Sequence, residues 1–152
     1  MQIKLIVVGN VKETFYQKKI EEYQRQINNK MPVQIICLKD ESIPKQTSDT
    51  VIRKIKETEG EKILSQIRNT DYVAALCIDG RKMDNSKIIK SIETAQHRGK
   101  TSIAFVIGGS LGLSDAVVRR ADEKISFSNM TFPHQLMRVM LMEVLADTIC
   151  GK

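Results

Sequence analysis

The chain has 152 residues, 41% of them hydrophobic and 28% charged. That is the length of one domain with a real core, and the balance excludes a disordered chain. Lys and Arg number 24 against 18 Asp and Glu, a formal net charge of +6, which suits a polyanionic partner such as RNA without demanding one.

The apolar stretch Ile3 to Val8 predicts a first strand, ended by Gly9. It lacks the basic start and small-residue cleavage site of a signal peptide. Between residues 11 and 29, Tyr16, Ile20, Tyr23 and Ile27 recur at the spacing of one helix face. Val33 to Leu38 predicts a second strand, and a polar loop containing Pro44 follows. A charged helix is expected from about Thr50 to Arg68, with Ile52, Ile55, Ile63 and Ile67 inward and Gly60 as an interruption. Tyr72 to Ile78 predicts a third strand closed by the turn pair Asp79-Gly80. A helix over Asn85 to His97 would turn Ile88, Ile89, Ile92 and Ala95 inward and stop at Gly99. Ser102 to Ile107 is a continuous apolar strand. Ser114 can cap a short helix to Arg120, and Lys124 to Ser128 forms a fifth strand. The last helix begins near Pro133.

Strands alternating with helices predict a single α/β domain, a parallel sheet covered on both faces. No apolar run reaches the ~18 residues that span a bilayer, so no membrane is expected. The three cysteines, Cys37, Cys77 and Cys150, form no CxxC pair. Neither a disulfide framework nor a metal site is expected, and the compartment reads as cytoplasmic. Cys37 and Cys77 lie in apolar runs and read as small core residues.

In an open parallel sheet a ligand sits beyond the carboxyl ends of the strands. Three segments fall there: Leu76 to Gly80, Gly108 to Leu113, and Phe127 to Pro133. Gly108, Gly109 and Gly112 let a flat ligand approach the main chain, or serve a tight turn and close helix packing. The spacing fits neither GxGxxG nor a P-loop. The run FSNMTFP mixes hydrogen-bonding groups with Phe127, Met130 and Phe132. It suits a pocket for an adenine ring, or a mixed loop before a helix.

These segments carry a family resemblance. FVIGGSLGL at 105–113 and SFSNMTFPHQLMRV at 126–139 resemble the signature segments of the small bacterial SPOUT-class methyltransferases that act on N3 of a pseudouridine in 23S ribosomal RNA. IKLIVVGNVKETF, KETEGEKIL and LCIDG resemble them too, so the similarity runs from Met1 to about Glu143. The resemblance implies a parallel-sheet SPOUT fold with a C-terminal deep trefoil knot over roughly 72–150. It implies S-adenosyl-L-methionine as cofactor, the ribosome as substrate, and a homodimer. Cofactor contacts carry onto Leu76, Gly108, Phe127, Ser128, Asn129, Met130, Thr131 and Phe132.

The dimer also has support from the residues themselves. From Leu136 to Leu145 only Arg138 and Glu143 are charged. A helix apolar nearly all round is covered on more than one side, and a second copy is a natural cover. His134 and Arg138 are the candidate substrate contacts. His134 could handle a proton or cap the helix start. Arg138 could neutralise an RNA phosphate or pair with an acid across the dimer. No catalytic base is identified.

The pattern breaks after Glu143. Members of the family continue with a Tyr-Arg pair and a Pro-Tyr-His tail, whereas this chain reads VLADTICGK. Two readings follow: an active methyltransferase, or a homologue that binds cofactor or ribosome with weakened or lost catalysis.

Overall fold

The computed structural model describes every residue except Asn129, Thr131 and Lys152. Five strands and five helices alternate: β1 (Gln2–Val8), α1 (Thr14–Asn28), β2 (Val33–Leu38), α2 (Asp49–Leu64), β3 (Asp71–Lys82), α3 (Asn85–His97), β4 (Ser102–Ile107), α4 (Asp115–Arg120), β5 (Glu123–Ser126) and α5 (His134–Cys150). The strands form one sheet in the order β2-β1-β4-β3-β5, and all four pairings are parallel.

Side-chain alternation along the strands sorts the core into two layers. Ile3, Leu5 and Val7 of β1 pack with Ile103, Phe105 and Ile107 of β4 against α1, α3 and α5. Ile6 and Val8 pack with Ala104 and Val106 against α2 and α4. Each large aliphatic residue so buried contributes roughly 1.5–3 kcal/mol. Both central strands are covered on both faces, which is why they read as unbroken apolar runs.

The helix ends follow local chemistry. The side chains of Ser48, Asp84 and Ser114 accept from the third residue onward, at Val51, Lys87 and Val117. Gly99, at φ +72°, follows α3 as expected. Pro133 is the N-cap of α5 rather than its first helical residue.

Several expectations are corrected. Asp79-Gly80 is no terminal turn, because β3 continues to Lys82. Leu76 and Arg81 both pair with Ile125, so residues 77–80 form an inserted bulge against β5. A Cβ on Gly80 would lie 2.7 Å from backbone atoms of Ile125. The glycine is required by this approach of two main chains. Strand β5 ends at Ser126 rather than Ser128.

Gly60 does not interrupt α2. A Cβ there would lie 2.3 Å from Ser114 Oγ, so the missing side chain lets α2 and α4 touch. On α2 it is Ile55, Glu59, Gly60 and Ile63 that are buried, while Ile52 is half-buried and Ile67 lies beyond the helix. On α3, Ile89 points outward at 43% exposure, and Ser91 takes the inward place, bonded to Glu123. Cys37 is exposed rather than core, because β2 is an edge strand, and Cys77 is half-buried.

Candidate functional site

The chain leaves β3 into the layer of α1, α3 and α5, and leaves β4 into the layer of α2 and α4. Neighbouring strands whose continuations part in this way open a crevice at their carboxyl ends. A cavity of about 640 Å³ lies there. Its wall includes Leu76, Cys77 and Ile78 from β3, the run Ile107–Leu113 after β4, and Ile125–Ser128 with Met130, Phe132, Pro133, His134 and Met137. The size and the apolar wall with few polar groups match a small-molecule site.

The three segments singled out from the sequence are thus brought together. Leu76, Gly108, Phe127, Ser128, Met130 and Phe132 all line this one cavity, and so does His134. Asn129 and Thr131 lie outside the described residues. Arg138 is not part of the set. It is 2% exposed, and its Nη2 donates to the Val8 carbonyl at 2.7 Å. It lines a different cavity, of about 450 Å³, with Asn10, Gln17 and Cys37.

Local hydrogen bonds shape the loop after β5. Ser126 Oγ donates to the Ser128 carbonyl at 2.9 Å and accepts from the Ser128 N–H at 3.2 Å. Ser128 Oγ accepts from the Met130 N–H at 3.0 Å. These bonds tie the two serine hydroxyls to the main chain of Ser128 and Met130 and so fix the course of the loop along the cavity wall.

The loop after β4 folds on itself. Gly112 has φ +89°, and its N–H donates to the Gly109 carbonyl at 3.0 Å. A Cβ on Gly108 would come 2.9 Å from Leu113 Cδ2 and 3.0 Å from the Gly112 carbonyl. The tight-turn reading therefore accounts for these two glycines, and the same turn forms a wall of the cavity.

Sequence reasoning missed Glu59. It lies on α2, 5% exposed, and accepts from the Glu41 N–H at 2.9 Å. A Cβ on Gly109 would lie 3.0 Å from its Oε1, so this carboxylate backs the glycine loop. A signal was available: Glu59 falls four residues from both Ile55 and Ile63, on the buried face.

The titrating groups at the wall are tuned by burial. His134 is held below its ordinary value by burial, then by the Arg138 cation, with Asp40 and Glu59 opposing. Burial, then the Asp79 carboxylate, pushes the Cys77 thiol up, which keeps it protonated. Among the described residues no group of His, Cys, Asp and Glu could hold a metal ion. No helix among them is long and apolar enough to cross a membrane.

A parallel α/β sheet with a cavity walled by glycine and aromatic loops at its strand ends defines the class: an α/β protein with a small-molecule site beyond the strand ends. The sequence model described as "Predicted SPOUT methyltransferase" matches residues 1–146. The chain is 43% identical over 143 residues to the ribosomal RNA large subunit methyltransferase H of Enterococcus faecalis, and equally to that of Clostridioides difficile. It is 46% identical to the enzyme of that name from Bacillus pumilus. In each case the match covers 94% of this chain and 90% of the relative. The chain belongs to the SPOUT methyltransferase family.

Proposed function

We propose that this chain is an S-adenosyl-L-methionine-dependent methyltransferase that modifies N3 of a pseudouridine in large-subunit ribosomal RNA. Its substrate is the assembled ribosome, its form a homodimer of single-domain chains, and its compartment the cytoplasm. The observation that carries this reading is the cavity itself. Six of the eight residues assigned to the cofactor line it together, and the other two, Asn129 and Thr131, lie outside the described residues. The names of the relatives, ribosomal RNA large subunit methyltransferases, support the RNA half. The family's deep knot, over roughly 72–150, is part of the proposal.

The residues present fit the cofactor. Gly108, Phe127 and Ser128 would hold it, with Leu76 and Phe132 among the apolar walls. When bound, the cofactor supplies a methyl group on a sulfonium, which leaves as a neutral thioether and needs no acid. What this chain must do is align the base with that methyl and exclude water, which is worth several kcal/mol. The imide N–H at N3 must also give up its proton as the N–C bond forms. His134 lines the cavity with its neutral form favoured, which supports it as the acceptor of that proton.

The altered terminus does not leave α5 unfinished. Leu145 and Ala146 are buried, Asp147 accepts from Asn85 Nδ2 at 2.9 Å, and Cys150 Sγ donates to the Gln26 carbonyl at 3.3 Å. VLADTIC thus extends the helix and docks it on α1 and α3. The test is mass spectrometry of 23S ribosomal RNA from a strain deleted for this gene, with and without the gene restored. Calorimetric titration with S-adenosyl-L-methionine accompanies it. Loss and return of one methyl on a pseudouridine is expected; an unchanged RNA with intact cofactor binding would overturn the enzyme and leave a binding homologue.

A further inference from the structure

On α1 the residues facing the core are Tyr16, Ile20, Tyr23 and Ile27. Phe15 falls off that stripe and is 65% exposed, the most exposed large apolar side chain among the described residues apart from Met130. Lys18 and Lys19 follow at i+3 and i+4, hence on the same outer face as Phe15, and Lys12 precedes it by three residues. Lys19 pairs with Glu22 at 3.7 Å. Among the described residues no carboxylate lies within ion-pair distance of Lys12 or Lys18.

The start of this ridge is bonded to the residue that follows the cavity wall. The Lys12 N–H donates to Gln135 Oε1 at 3.1 Å, and Gln135 follows His134 of the cavity wall. Exposed aromatic surface flanked by unmatched ammonium groups is the chemistry that grips single-stranded RNA: the ring stacks on a base and the cations meet the flanking phosphates. A base presented for methylation must be out of its stack, so its neighbours are unstacked too and available to such a ring.

We infer that Phe15, with Lys12 and Lys18 beside it, is a platform on which an unpaired base near the target stacks, positioning the RNA strand over the cavity. This rests on the RNA-modifying reading above and adds to it the surface that grips the substrate. The platform binds RNA without reading its sequence, because every base has a face to stack.

The test uses the full chain, S-adenosyl-L-methionine and ribosomes from the deletion strain. Phe15→Ala is expected to raise the KM for ribosomes about tenfold with kcat little changed. Phe15→Tyr keeps the ring and should stay within about twofold of the parent. Lys12→Gln with Lys18→Gln should weaken ribosome binding and lower the slope of its salt dependence by about 2. Calorimetric cofactor affinity should be unchanged in all of them. An unaltered KM for Phe15→Ala would overturn the inference. So would a change in sedimentation mass for that variant, which would make the ridge a contact between copies. If the parent chain itself neither binds nor methylates ribosomes, the RNA-modifying reading falls first, and this one with it.

Discussion

The Lys4 ammonium of β1 donates to Asp71 Oδ2 of β3 at 2.8 Å, reaching beneath β4, with side-chain exposures of 9% and 1%. The carboxylate is fully engaged: it also accepts from Ser102 Oγ and from the Arg68 N–H, each at 2.8 Å. Lys4 in turn donates to the Gln66 carbonyl at 3.0 Å. The network sits at the amino ends of the strands, opposite the cavity, so it concerns stability and not the site. Asp71→Asn should cost about 3–5 kcal/mol in urea unfolding at pH 7, because it strands a buried ammonium. Lys4→Met combined with Asp71→Leu should cost less than either single change, since nothing charged is left behind.

The same carboxylate sets a pH dependence. Burial alone would raise the Asp71 value, but the hydrogen bonds from Lys4, Arg68 and Ser102 outweigh it and hold it below the ordinary range. The folded state therefore binds fewer protons than the unfolded one. Its stabilisation is complete above the unfolded value of about 3.9 and is lost as pH falls through the folded one. The stability gap between the parent and Asp71→Asn should narrow below about pH 4. A gap that stayed constant from pH 7 to pH 3 would contradict this.

Two glycines should resist alanine for different reasons. At Gly60 the obstacle is Ser114, 2.3 Å from the added methyl at Oγ and 3.0 Å at Cβ. Thermal melts of Gly60→Ala should show a loss of about 1–3 kcal/mol, from forcing α2 and α4 apart. At Gly80 the obstacle is the Ile125 backbone at 2.7 Å, which cannot rotate away. Ile125 lines the cavity, so Gly80→Ala should also weaken cofactor binding in calorimetry, while Gly60→Ala should leave it largely intact.

What could be read from the sequence was whatever rests on local chemistry. The bounds of α3 and the Ser114 cap of α4 follow from apolar spacing and from residues that satisfy helix ends. The strand-end position of the cavity follows from parallel topology. What could not be read depends on distant neighbours. Ser91 is inward only because Glu123 waits on β5, and Asp79-Gly80 runs on as strand only because β5 pairs again at Arg81. Cys37 looks like core until β2 is known to be an edge. Arg138 reads from the sequence as a contact to an RNA phosphate or to an acid across the dimer; its burial against Val8 depends on the contact of α5 with β1.

His134, like Asp71, is held below its ordinary value, and it bears on activity as well as stability. Burial and Arg138 lower it from its ordinary 6.5, so its neutral form persists to a lower pH than that of a free histidine. The acid limb of kcat against pH should therefore lie below 6.5. His134→Gln should lower kcat by about 100-fold or more and flatten that limb, with cofactor affinity little changed. Stability carries the same sign: the folded state resists protonation, so stability declines as pH falls from 6.5 towards the folded value. Should the glutamine variant keep the parent's kcat and acid limb, the proton acceptor lies elsewhere.

The last prediction concerns the outer side of α5. Its inner side is complete: Val139, Leu141, Met142, Leu145 and Ala146 are buried in the layer shared with α1 and α3. Leu136 and Met140 lie one turn apart and are only half-buried, with Glu143 exposed beyond them. Each single chain thus leaves apolar side chains part-exposed along one helix, and a second copy would cover them. Met140 is an adaptable filler at such a contact. In the proposed homodimer, Leu136→Lys with Met140→Lys should reduce the sedimentation mass from two chains to one, because two facing patches would each acquire unpaired cations. The melting of the isolated chain should change little, since neither residue belongs to the buried core. A double variant that still sediments as two chains would place the dimer contact on another face.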